Sequence, residues 1–212
     1  MRSQASREAA SKQKEMKKFI VIGNARHGKD TAAELLADEL GLRMISSSAF
    51  ACENLIFPNL KRQYGYLTAD ECFLDRINHR VEWFNLISSF NTPDPARLAR
   101  DILSTSDIYV GMRCARELHA CLRANLADLV IWVDASQRVA QEGRGSCTVE
   151  QTMAHVVVDN NGSLVELREG VRRLAREIRD DKVDKMITRV FRTLHSKDLL
   201  LEHCRPGHGS FY

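Results

Sequence analysis

The stretch from Phe19 to Leu36, FIVIGNARHGKDTAAELL, limits what this chain can fold into more than any other. Phe19 to Ile22 have the length and apolar character of a buried strand. A loop bounded by Gly23 and Gly28 follows. Lys29, Asp30 and Thr31 then open a helix that carries Ala32, Leu36 and Leu40 on one face and stops at Gly41. The spacing G-x-x-x-x-G-K is that of a phosphate-binding loop. Its glycines let the backbone curl until several N–H groups face one anion, and the positive end of the next helix adds to the field. Lys29 supplies a mobile ammonium for the outer phosphates. The hydroxyl that usually follows the lysine comes one place late, at Thr31, with Asp30 between them.

Around this centre the chain alternates strands with helices, which predicts a parallel three-layer α/β domain. Further strands are expected at Arg43 to Ile45, Ile108 to Met112, Leu129 to Val133 and His155 to Val158. In such a sheet the residues just past the strand ends face the ligand crevice. Ser46, Ser47 and Ser48 stand there, either as turn residues or as hydroxyls for a substrate. Arg113 and Arg116 follow the third strand, three apart at a helix start, and suit a substrate phosphate. Gly111 occupies the place near the loop where many nucleotide-binding enzymes carry a magnesium-orienting acid. Asp134 closes the fourth strand, and either orients magnesium or caps a turn.

Residues 50–106 read as a helical insert between the second and third strands. Thr68 and Glu71 form a capping box for a helix reaching about Asn78, and Thr92-Pro93-Asp94 starts another that runs to Leu103. Arg76 and Arg80, four apart, are expected on one helix face, where they clamp a phosphate or make surface ion pairs. Trp83 and Phe84 either stack on a base or belong to the core. The loop from about 135 to 148 carries Arg138 and Arg144, as a lid over a nucleotide would. A second capping box, Ser163 with Glu166, begins a helix burying Leu164, Leu167, Val171, Leu174 and Ile178.

At 212 residues one principal domain, 18–178, is expected, after a basic arm (1–17) and before a basic helix and tail (179–212). Six cysteines without a C-x-x-C pair point to free thiols in a reducing, cytoplasmic setting. No signal peptide and no membrane span are expected. The net charge of +3 is unevenly spread. Residues 1–18 carry 6 basic and 2 acidic side chains, residues 19–167 carry 14 and 19, and residues 168–197 carry 10 and 5. The second basic segment is either a solvated helix face or a patch for DNA.

GNARHGKDTAAELL, IYVGMRCARELHA, LVIWVDAS and HVVVDNNGSLVEL together resemble the bacteriophage-type deoxynucleoside monophosphate kinases, over roughly residues 18–178. The resemblance implies a P-loop NTPase fold with a five-stranded parallel sheet, in the host cytoplasm if phage-encoded. Gly23, Asn24, Ala25, Arg26, His27, Gly28, Lys29, Asp30 and Thr31 would hold the ATP phosphates, and Lys29 would stabilise charge on the transferring group. Arg113 would bind the acceptor phosphate, with Arg138 or Arg144 in the lid. Asp30, Thr31 and Asp134 remain the candidates to organise Mg²⁺, directly or through water. Ser47, Arg76, Arg80, Trp83 and Arg116 complete the candidate acceptor site, and a homodimer is admitted. Three rivals stand beside this reading: a kinase acting on hydroxymethylpyrimidines in DNA, a nucleotide-binding regulator without transfer, and a dephospho-coenzyme A type kinase.

Overall fold

The computed structural model describes residues 17–139 and 147–180. Arg144, the basic helix expected beyond residue 180 and the N-terminal arm up to residue 16 lie outside them. Five strands, β1 (Phe19–Ile22), β2 (Met44–Ser46), β3 (Ile108–Val110), β4 (Leu129–Asp134) and β5 (Val156–Asp159), form one parallel sheet in the order β2-β3-β1-β4-β5. The helices are α1 (Lys29–Leu40), α2 (Ser47–Ala51), α3 (Phe57–Tyr64), α4 (Ala69–Leu74), α5 (Arg80–Phe90), α6 (Arg97–Thr105), α7 (Ala115–Arg123) and α8 (Leu164–Arg179).

Strand alternation divides the core into two layers. Phe19, Val21, Ile108, Val110, Ile131 and Val133 point into the layer shared with α1 and α8. Ile20, Ile22, Tyr109, Val130 and Trp132 point into the opposite layer, against α6 and α7. Because helices cover both faces, the strands read as continuous apolar runs rather than as alternating ones. β1 is the centre of the sheet: Phe19 stands opposite Ile108 on one side and Leu129 on the other. The loop that follows β1 is therefore carried on the most buried strand. The α1 face is as expected, with Gly41 ending the helix in the left-handed region at φ 67°.

The region between β2 and β3 is not one uniform insert. Helix α6 covers the sheet, whereas Ala51, Cys52, Ile56, Leu60, Cys72 and Trp83 make a separate small core. A π-helical turn, Cys52–Ile56, joins α2 to α3. Thr68 and Glu71 cap α4 reciprocally as predicted, but the helix stops at Leu74 and gives way to a 3₁₀ turn, Asp75–Ile77. The reason is local. The Asp75 carboxylate accepts from Tyr66 Oη at 2.6 Å and Asn78 Nδ2 at 2.6 Å, and it lies 3.0 Å from His79 Nε2. Side-chain bonds of this kind compete with helix continuation.

That break corrects two expectations. Arg76 sits in the 3₁₀ turn and Arg80 begins α5, so they do not share a helix face. Arg76 instead stacks 4.1 Å over the Phe73 ring and donates to the Phe73 carbonyl at 2.7 Å. Trp83 belongs to the small core, edge-on to Phe73, and is not placed to stack on a ligand, while Phe84 beside it is 68% exposed. A third correction concerns α8. Ser163 and Glu166 do form the capping box, yet Leu164 is exposed because burial begins one turn later, at Leu167.

One polar knot ties β1, β2 and β3 together. The Asp107 carboxylate accepts from Lys18 Nζ at 3.0 Å and from the Arg43 backbone N–H at 3.0 Å. Burial alone would raise its pKa, but the Arg43 N–H and Lys18 outweigh it and leave the carboxyl below its ordinary value. A carboxyl depressed on folding stabilises the fold above its unfolded pKa, near 3.9. That contribution is lost as pH falls through the folded value. Asp107→Asn is therefore expected to cost roughly 1–3 kcal/mol at neutral pH. The difference should shrink in denaturant titrations as the pH is lowered from neutral through the folded carboxyl's depressed pKa.

Candidate functional site

The loop from Gly23 to Gly28 curls between β1 and α1, and Gly28 holds φ 81°, a conformation that favours glycine. A Cβ at Gly28 would collide with the side-chain amide of Asn160. Asn160 is 8% exposed, and its Nδ2 donates to the His27 carbonyl at 2.9 Å. The run Asp159-Asn160-Asn161-Gly162 does not by itself reveal this brace. Its position just past the end of β5 was the available signal. Asn160→Ala is expected to cost roughly 1–3 kcal/mol, since the buried His27 carbonyl loses its donor. The loop should also hold nucleotide less tightly, which a thermal-shift titration with ATP would read.

His27 pins the loop from the other side. Its ring is fully buried, and Nδ1 accepts from the Ala135 backbone N–H at 3.0 Å. The loop is thus clamped between the segments that follow β4 and β5. Helix α1 has no side-chain cap at its N-terminus, in contrast with α4 and α8. Its leading amides are those that an anion would satisfy. Lys29 Nζ folds back to the Asn24 carbonyl at 2.7 Å, over the mouth of the loop. Asp30 and Thr31 are exposed on the first turn of α1, and Arg26 is exposed in the loop at φ 63°.

Asp134 ends β4 within reach of the same loop. Ser136 donates to it through N at 3.2 Å and Oγ at 3.1 Å, and Asn161 Nδ2 donates at 3.0 Å. Burial acts to raise its pKa, but the bonds from Asn161 and Ser136 prevail and hold the carboxyl below its usual range. An ionised, oriented carboxylate beside a phosphate cradle fits a cation held by one or two carboxylates and the phosphates themselves. Among the described residues no group of three or more His, Cys, Asp or Glu side chains is placed to hold a metal ion.

Beside the loop, at the carboxyl ends of β2 and β3, lies a cavity of about 420 Å³. Ser47, Phe84, Asn91, Arg113, Arg116 and Glu117 are among its walls. Arg113 precedes α7 rather than opening it, and its carbonyl accepts from the Thr148 and Val149 N–H groups at 2.8 and 3.3 Å. Of the residues proposed for the acceptor, the structure brings Ser47, Arg113 and Arg116 into this cavity, and leaves Arg76, Arg80 and Trp83 out of its lining. Gly111 stands at φ 97°, and a Cβ there would lie 2.9 Å from Ser47 Oγ. The missing acid thus has a steric and conformational reason. Arg138 donates from Nε to the Asn160 carbonyl at 2.7 Å, so it is anchored beside the loop's brace.

A loop of phosphate-binding spacing between the first strand and first helix of a five-stranded parallel sheet, with helices on both faces, makes the three-layer α/β architecture expected from the sequence. No protein-family model and no curated protein sequence matches the chain. Among solved structures it is similar to a shikimate kinase from Bacteroides thetaiotaomicron, at 11% identity over 77% of this chain and 98% of that one, with a TM-score of 0.41. It is also similar to a gluconokinase from Sinorhizobium meliloti, at 16% identity over 78% and 97% of the two chains, with a TM-score of 0.43. Among the described residues no helix is long and apolar enough to cross a membrane.

Proposed function

We infer that this protein transfers the γ-phosphoryl group of ATP to a deoxynucleoside monophosphate. The observation that carries the reading is the adjacency of two anion sites on neighbouring strands. The loop with Lys29 follows β1, and the cavity with Arg113 and Arg116 follows β3, which is hydrogen-bonded to β1. Joining two polyanions requires their charges to be neutralised and their reacting oxygens to be held in line. The loop amides and Lys29 orient the donor phosphates. Arg113 and Arg116 hold the acceptor phosphate, and Phe84 offers an exposed aromatic face to the base. Asp30, Thr31 and Asp134 are the residues that would hold Mg²⁺, which supplies charge neutralisation across the transferring phosphates when bound.

Phosphate transfer is the test. Purified protein, radiolabelled ATP and Mg²⁺ are offered each deoxynucleoside monophosphate, each ribonucleoside monophosphate, and DNA with and without hydroxymethylpyrimidines. Label in one or more deoxynucleoside diphosphates supports the reading, and its absence from all of them refutes it. The surplus of positive charge in residues 168–197 favours a second reading, a kinase acting on modified DNA, for which label would appear in that polymer alone. Within that segment Arg172 and Arg179 already pair with Glu39 of α1.

A further inference from the structure

We propose that Asn91 and Glu117 are the specificity-determining pair of the acceptor cavity, reading the edge of a nucleobase through one fixed donor and one fixed acceptor. The proposal rests on the nucleotide-kinase reading and deepens it.

Asn91 directly follows the last residue of α5 and Glu117 lies in the first turn of α7, 26 residues away. Asn91 Nδ2 donates to Glu117 Oε1 at 2.8 Å, and Asn91 Oδ1 accepts from the Leu98 N–H at 3.0 Å. These two bonds settle the sense of the amide. A backbone N–H only donates, so Oδ1 must face Leu98 and Nδ2 is left to donate to Glu117. One Nδ2 proton is left, and Glu117 Oε2 is left beside it. Neither has a protein partner among the described residues, and both side chains line the cavity.

Burial raises the Glu117 carboxyl pKa, opposed by the Asn91 bond and by the Arg116 charge. A carboxylate held in a cavity wall against that penalty gains most from a further N–H donor. Nearby, Phe84, Ile87, Leu98 and Met112 give walls suited to a flat ring, and Arg113 and Arg116 suit its phosphate. On the Watson–Crick edge guanine carries a lone pair (O6) and then N1–H, whereas adenine and cytosine carry the exocyclic N–H and then a ring lone pair. Thymine, with a carbonyl on each side of N3–H, presents both orders. With the phosphate held by the arginines, a donor at Asn91 and an acceptor at Glu117 match one order. They place lone pair against carboxylate and N–H against N–H in the other.

The test is steady-state transfer to dGMP, dTMP, dAMP and dCMP. The wild type is expected to favour either dGMP over dAMP and dCMP, or dAMP and dCMP over dGMP, by roughly 10- to 100-fold in kcat/KM, the size of one or two hydrogen bonds involving a charge. In Glu117→Gln the amide oxygen must keep the Asn91 bond, so its NH₂ turns into the cavity and the acceptor becomes a donor. That variant is expected to lose most of this preference through poorer use of the favoured nucleotides, with a much smaller change for those of the opposite order and a melting temperature close to wild type. Should the variant fold poorly, analogues of the favoured nucleotides methylated on the base N–H pose the same question to the wild type, which should use them poorly. Equal use of all four bases, an unchanged base ratio in folded Glu117→Gln, or unimpaired use of the methylated analogues would overturn the proposal while leaving the kinase reading intact. Transfer to no deoxynucleoside monophosphate at all would overturn the kinase reading itself, and this proposal with it.

Discussion

Lys29→Ala should lower phosphoryl transfer by ~10²–10³-fold, the usual effect of deleting one preorganised donor aimed at developing charge. Lys29 Nζ sits 2.7 Å from the Asn24 carbonyl, folded over the loop mouth where the outer phosphates would lie. The fold should be spared. Position 29 begins α1, alanine is a better helix former than lysine, and Lys29 is not part of the hydrophobic core. The variant is expected to melt within a few degrees of wild type, as for a surface substitution. Turnover and a melting curve measured on the same preparation separate the two effects. A folded variant that still transferred phosphate at close to the native rate would remove Lys29, and with it the phosphate loop, from the chemistry.

Arg113→Ala should reduce kcat/KM for the acceptor nucleotide by about 10²-fold, because a bidentate guanidinium contact with a phosphate is lost in a partly dry cavity. ATP binding should be unchanged, since the donor loop is built on a different strand. It is the Arg113 carbonyl that accepts from Thr148 and Val149, and alanine keeps that carbonyl. Arg113→Lys should recover only part of the loss, since an ammonium cannot make the paired, planar contact. Isothermal titration with ATP, beside acceptor kinetics, reads both sides. An equal loss of ATP affinity would move Arg113 to the donor site.

The loop, its strand and its helix were legible in the sequence because they are local. Gly23, Gly28 and Lys29 fall within seven consecutive residues, and their spacing maps directly onto a curl of backbone amides. Both capping boxes were legible for the same reason, since Thr68 with Glu71 and Ser163 with Glu166 each act within one turn. The parallel sheet followed from strands that were apolar throughout, a pattern that arises when both faces are covered.

Errors arose where a contact depends on a side chain distant in sequence or on a break that periodicity hides. Spacing put Arg76 and Arg80 on one face, but Tyr66, Asn78 and His79 drew the Asp75 carboxylate into local bonds and ended the helix between them. Composition made Trp83 and Phe84 equivalent, and only the packing of α5 buried the first and exposed the second. The absence of an acid at Gly111 was visible as a fact, while its cause, a left-handed backbone pressed against Ser47 across 64 residues of chain, was not.

The sequence by itself determined that a glycine-bounded loop of phosphate-binding spacing lies between a strand and a helix, because a curl of backbone and a helix start need only near neighbours. The tertiary structure decided what braces that loop and what faces it. Asn160 reaches Gly28 across 132 residues, and Asn91 meets Glu117 across 26, because a parallel sheet gathers the ends of strands that the chain keeps far apart.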